Sequence, residues 1–104
     1  MGDYPDEAEL EKLRTWEAED LDGLIRFLVD GHWWLPEWGI GEGEKKGEWF
    51  VSTGGWSGNE ERIEAIQQNM EWWMLNWHST RRGGHYIFQN TNDYVHGVLE
   101  EANK

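Results

Sequence analysis

A chain of 104 residues can bury one modest core and has no room for a second, so a single domain over 1–104 is expected. With no cysteine, disulfides, thiolate metal sites and a cysteine nucleophile are all excluded. Twenty-one acids against nine bases, a formal net charge of −12, argue against a sequence-independent grip on nucleic-acid phosphates or an anionic membrane, while a basic protein partner stays open.

The remaining composition is aromatic: nine Trp, three Tyr and three Phe predict that large rings, more than aliphatic bulk, fill much of the core, with some rings left partly exposed. Residues 1–30 carry most of the negative field, with Lys12, Arg14 and Arg26 as their only bases. The opening MGDYPDEAELEK has neither a basic n-region nor an apolar h-region, and no apolar run reaches membrane-spanning length. A cytoplasmic protein with no membrane partner is the expectation.

Pro5 and the acids that follow it predict a short helix over Asp6–Leu13, with Leu10 and Leu13 as its apolar positions. Leu21, Leu24, Ile25 and Leu28 fall at helical spacing, which predicts a second helix over about 20–30, capped by Asp20 and closed by Gly31. Glu48–Thr53 reads as a strand, with Glu37–Gly41 as its partner across the glycine-rich turn GEGEKKG. A third helix over about 59–70 follows from Ile63, Ile66 and Met70, with Ser57 or Asn59 as the capping residue.

Two runs dense in aromatic and β-forming residues, EWWMLNWHST and HYIFQN, flank the turn residues Arg81-Arg82-Gly83-Gly84, so an antiparallel hairpin is expected from about Glu71 to Asn90, with Trp73, Leu75 and Trp77 on one face. The tail 91–104 contains Tyr94, Val95, Val98 and Leu99, enough for a short turn or helix that frays at Gly97. The order predicts an α+β fold: a small antiparallel sheet of about four strands with two to three helices packed on one face.

Two segments draw attention chemically. In Thr53-Gly54-Gly55-Trp56-Ser57-Gly58-Asn59-Glu60, glycines join a strand to a helix start, where backbone N–H groups can converge on an anion; the plainer reading is a tight turn with a capped helix. It is neither a Gly-Lys-Ser/Thr phosphate loop nor a Gly-x-Ser-x-Gly nucleophile elbow. In Arg81-Arg82-Gly83-Gly84-His85, two guanidiniums beside an imidazole offer planar recognition of a carboxylate or phosphate, against the plainer reading of a solvated hairpin tip. If both segments lie at one end of the sheet they form a single concave surface, with Trp56 and Trp77 as walls.

The residues Ser52–Glu60, followed by Arg81-Arg82-Gly83-Gly84-His85-Tyr86-Ile87-Phe88, resemble a family of small uncharacterised bacteriophage and prophage proteins, over about Leu21 to Phe88. The resemblance implies a phage-associated context and the importance of these segments, and it implies no mechanism.

His32, His78, His85 and His96 show no helical i, i+4 pair, so neither a metal site nor a cofactor is expected. Glu60 with His85 is the one pair to consider for acid-base chemistry, although a carboxylate at a helix start normally complements the helix dipole. Glu7, Glu9, Glu11, Glu17, Glu19, Asp20 and Asp22 can instead mimic a row of phosphates toward a nucleic-acid-binding host protein, and as exposed charges they should be replaceable at little cost to folding. In each of the pairs Trp33-Trp34 and Trp72-Trp73, one ring should enter the core and the other face solvent or a partner.

The expectation from sequence is therefore a non-enzymatic accessory binding protein of phage type. Its partner is a host or phage protein, direct nucleic-acid binding is disfavoured, and its ligand surface comprises Thr53, Gly54, Gly55, Trp56, Ser57, Asn59, Glu60, Trp77, Arg81, Arg82 and His85. The alternatives are the acidic inhibitor and a small enzyme using Glu60 and His85.

Overall fold

The computed structural model describes residues 4–89. Five helical segments and four strands follow in the order α1 (Glu7–Arg14), α2 (Leu21–Val29), α3 (Pro36–Gly39), β1 (Ile40–Glu42), β2 (Glu48–Ser52), α4 (Ser57–Gln68), α5 (Met70–Asn76), β3 (Trp77–Arg81) and β4 (His85–Gln89). The strands form one antiparallel sheet in the order β1-β2-β4-β3. The architecture is the expected α+β fold with a small sheet, carrying more helical segments than the sequence pattern announced.

Local chemistry explains the first two helices. Asp6 caps α1 by accepting the Glu9 N–H at 2.8 Å, and Asp20 caps α2 by accepting the Gly23 N–H at 2.9 Å, each worth about 1 kcal/mol. Leu21, Leu24, Ile25 and Leu28 then bury one stripe of α2, and Gly31 turns the chain away with φ +91°.

The first arm of the expected hairpin is corrected. Residues Met70–Asn76 form α5, so strand pairing begins only at Trp77, and the hairpin comprises β3 and β4 alone. Asn69 ends one helix and starts the next: its side chain accepts the Trp72 N–H and donates to the carbonyls of Leu13 and Trp16. Asn76 donates to the Trp72 and Ala18 carbonyls, closing the segment. These buried amides hold α5 against the 13–18 stretch, and tertiary hydrogen bonding overrides the strand preference of paired tryptophans. Met70, expected at the end of the third helix on one face with Ile63 and Ile66, instead opens α5 and is exposed. Likewise 37–39, expected as strand, belong to the single turn α3 with Pro36 at its start, and the partner of β2 is Ile40–Glu42.

The core is more aliphatic than expected. Leu13, Leu21, Leu24, Ile25, Leu28, Ile63 and Ile66 supply most of it, with Val51 from the sheet, and among the described residues Trp33, Trp72 and Phe88 are the fully buried rings. Trp16, Phe27, Trp49, Trp73 and Tyr86 form a half-buried layer around it. In both Trp pairs one ring is buried and its neighbour is not, as expected, although Trp72 and Trp73 do so on a helix. Alternation along β2 and β4 points Trp49, Val51, Tyr86 and Phe88 at the helices, while Phe50, Ser52, His85 and Ile87 point to the other face. In β3 an extra residue at His78 makes a bulge against β4. The expected turn at Tyr94–Leu99, with His96, lies outside the described residues.

Candidate functional site

At one end of the sheet, where β2 leaves and β4 enters, the two glycine segments meet. Ser52 pairs with His85 in register, and one residue further the Thr53 N–H donates to the Gly84 carbonyl at 3.1 Å. Gly84 has φ +78°, and a Cβ there would collide with Thr53 Oγ1, so the contact requires glycine on both counts. Thr53 Oγ1 also accepts the Gly55 N–H at 3.2 Å, and its carbonyl accepts the Trp56 N–H at 3.3 Å, which folds the loop tightly into α4. The adjacency of Thr53-Gly54-Gly55-Trp56 and the arginine turn is thus a feature of the fold.

Arg81 faces His85 across the β3–β4 ladder, and Arg82 follows in the turn; both are exposed, and neither makes an ion pair among the described residues. A 2.6 Å hydrogen bond joins Ser52 Oγ to His85 Nδ1, fixing the imidazole on the sheet face opposite the helices. Trp77 does not join this group. It opens β3, about 13 Å of strand away from Arg81, stacks on Trp73 at 5.9 Å and donates from Nε1 to Thr80 Oγ1.

The helix start is built differently from the expected anion cradle. Trp56 occupies the capping position of α4 without a side-chain cap bond, and its ring lies so close to Gly58 that a Cβ there would run into it. The backbone beside Gly58 is therefore covered by an indole. Asn59, expected as a cap, is fully buried and acts as a latch: its Oδ1 accepts the Trp34 N–H at 3.0 Å, and its Nδ2 donates to the Trp34 carbonyl at 3.2 Å and the Thr53 carbonyl at 3.1 Å. Ser57 is exposed and bonded to the Tyr4 hydroxyl at 3.0 Å.

That latch positions Trp34, the exposed member expected of the Trp33-Trp34 pair, beside Trp38, which the sequence pattern did not single out. Trp34 and Trp38 lie on either side of Leu35, whose φ of +53° makes it the one non-glycine residue in the left-handed region among those described. Both rings reach Gly54, where a Cβ would stand 3.3 Å from Trp38 and 3.5 Å from Trp34. Trp34 also packs on Trp56 at 5.8 Å, and Trp56 on Tyr4 at 5.2 Å. The result is an aromatic row, Tyr4, Trp56, Trp34 and Trp38, wrapped around the loop. The sequence signal for it was Leu35-Pro36-Glu37, a Pro at a helix start, which holds Trp34 and Trp38 at the two ends of a tight turn.

Glu60 is exposed in the first turn of α4, and no hydrogen bond or ion pair joins it to His85 among the described residues. Burial first, and then the charge of Glu60, raise the Tyr86 hydroxyl above its ordinary pKa. Tyr86 and His85 are consecutive in β4 and point to opposite faces of the sheet.

The acidic N-terminal third is also engaged internally. Glu9 pairs with buried Arg62, and Glu7 and Glu11 with Arg14. Asp20 caps α2 and accepts the Trp16 Nε1–H, while Asp22 accepts the Trp49 Nε1–H at 3.1 Å. Glu17 and Glu19 alone of the expected phosphate-mimicking row are exposed acids with no such contact. Among the described residues no cluster of three or more His, Asp or Glu could hold a metal ion.

No family model matches the chain, and neither a curated protein nor a solved structure matches it.

Proposed function

We propose that this chain is a non-enzymatic accessory binding protein, of the phage type its two glycine segments resemble, whose working surface is the Thr53–Trp56 loop with the Arg81–His85 turn. It recognises a carboxylate- or phosphate-bearing segment of a host or phage protein in the cytoplasm. The observation that carries this reading is the pair Arg81 and Arg82: in a chain of net charge −12 they stand exposed and without an ion pair among the described residues, on a turn pinned to a second loop. Guanidiniums in that setting favour planar, two-pronged hydrogen bonding to an oxyanion. His85, oriented by Ser52, supplies a further polar group on the face shared with Arg81.

No helix among the described residues is long and apolar enough to cross a membrane, which is compatible with this setting. Glu9, Asp20 and Asp22 are held by Arg62, the Gly23 N–H and the Trp49 indole, which interrupts the row of acids and favours this surface over an acidic phosphate mimic.

The test is titration with phosphate, a nucleotide and an acidic peptide, followed by Trp fluorescence, in the parent and in a folded Arg81→Ala/Arg82→Ala variant. Saturable response in the parent, weakened about tenfold or more in the variant and also weakened in Arg82→Lys, supports it. A silent parent, or a variant that responds identically, rejects it.

A further inference from the structure

Three exposed aromatic side chains on one surface call for an occupant, because rings that large are otherwise drawn into the core. Tyr4 is 62% exposed, Trp38 59% and Trp34 39%, and Leu35 beside them is 45% exposed. The backbone beneath them is rigid. Asn59 grips both polar groups of Trp34, Gly54 admits both indoles against the chain, and Leu35 holds a left-handed conformation that a β-carbon makes costly. Strain of this kind is maintained where the surroundings impose it, and it clusters at binding surfaces. The rings are therefore held in place before any ligand arrives, which lowers the entropic cost of binding.

The charge around the row selects the occupant. Glu37 lies in α3 between Trp34 and Trp38, and Glu60 stands one helical turn after Trp56, its N–H bonded to the Trp56 carbonyl; both carboxylates are exposed. The one base on these two stretches, Arg62, is buried against Glu9. Indole faces with carboxylates around them attract a cation, which gains from the ring quadrupole and from the nearby negative charge together.

We propose that the row Tyr4, Trp56, Trp34 and Trp38 is a docking surface for an arginine- or lysine-bearing segment of a protein partner, the cationic head lying over an indole face and the stem over Leu35. This surface shares Trp56 with the loop of the anion reading but excludes Arg81, Arg82 and His85, so variants at Trp38 and Glu37 test it without touching the groups that carry that reading. The two together describe a partner segment that presents both signs of charge to one end of the sheet.

The experiment uses the full chain, an Arg-Gly repeat peptide, its Glu-Gly counterpart and a soluble oligosaccharide, with binding followed by calorimetry and by the indole N–H resonances of the isotope-labelled protein. Trp38→Ala and Glu37→Gln are the variants, and Glu17→Gln/Glu19→Gln controls for general attraction to an acidic protein. The expected result is saturable binding of the Arg-Gly peptide, shifts concentrated in the Trp34 and Trp38 indoles, and a loss of about fivefold in Trp38→Ala that persists at high salt. The control should bind like the parent. No binding, equal loss in the control, unchanged affinity in Trp38→Ala, or preference for the oligosaccharide or the Glu-Gly peptide at these indoles would each overturn the proposal. Circular dichroism melts establish that each variant is folded. A parent that binds phosphate through Arg81 and Arg82 but ignores the Arg-Gly peptide would reject this inference alone.

Discussion

Arg62 lies buried against Glu9, an ion pair that fastens the middle of α4 to the first turn of α1, with the two side chains 2% and 13% exposed. Composition assigned Glu9 to an open acidic face, and its neighbours Glu7 and Glu11 do lie there. The pair separates one structural acid from a solvated set. Glu9→Gln should therefore lower stability by about 3 kcal/mol, because it removes the carboxylate charge paired with a buried guanidinium. Glu7→Gln and Glu11→Gln, whose carboxylates share Arg14 at the surface, should leave the urea midpoint nearly unchanged. Urea denaturation of the three single variants checks both statements.

Asn59 makes three hydrogen bonds with no solvent to replace them. Asn59→Ala should cost about 2–4 kcal/mol and release Trp34, seen as a red shift and greater acrylamide quenching of the emission. Asn59→Asp should be no milder, since it keeps the acceptor for the Trp34 N–H but faces the Trp34 carbonyl and the buried Thr53 carbonyl without a donor. Equal stability of parent and Asn59→Ala would show that the latch contributes nothing.

Gly84 and Gly55 both have positive φ, but only Gly84 is crowded. Gly55→Ala should cost about 1 kcal/mol from backbone strain. Gly84→Ala should cost more, about 2–3 kcal/mol, and should move the arginine turn off Thr53. Thermal melts rank the two, and weakened anion binding in folded Gly84→Ala would tie the turn's position to recognition.

Tyr86 gives a pH dependence whose sign is fixed by its raised pKa, caused by burial and then by Glu60. The folded state holds the phenol proton more tightly than the unfolded chain does. The corresponding stability is fully present below the ordinary tyrosine value of about 10 and is lost as the pH rises beyond it. The alkaline fall in melting temperature should shrink in Tyr86→Phe. Glu60→Gln should bring phenolate absorbance at Tyr86 in at lower pH than in the parent, and no change in either variant would contradict the assignment.

The elements read correctly from sequence were those whose signals are local. Asp20, the Leu21–Leu28 stripe and Gly31 bound α2 within a residue, because capping and periodicity act over neighbouring turns. Residues 70–76 were misread because two adjacent tryptophans carry a strand preference, while the bonds that decide for a helix reach from Asn69 and Asn76 to Leu13, Trp16 and Ala18, far away in sequence. The glycines marked the Thr53 loop and the Gly84 turn, but their juxtaposition was only conditional in the sequence, because which strands pair is set by the long-range β2–β4 register. Trp77 was misplaced with the missing strand. The aromatic row was hidden because it depends on the backbone angle of Leu35 and on an asparagine that sequence offers equally well as a cap.

The bulge at His78 has a consequence for the life of the molecule at high concentration. An outer strand displays unpaired N–H and C=O groups that can template the strand of another molecule and grow into fibrils. Here Trp77 pairs with Phe88 and Ser79 with Ile87, so the extra residue shifts the pleat, leaving Trp77 on one side of the sheet and Arg81 on the other. A neighbouring β3 cannot run alongside with its side chains in step for more than the three residues after the bulge, and it meets a guanidinium at the end. The opposite margin, β1, is only three residues long. Among the described residues, a small protein rich in tryptophan thus has both margins of its sheet unsuited to polymerisation, one by interrupted pleat and one by brevity.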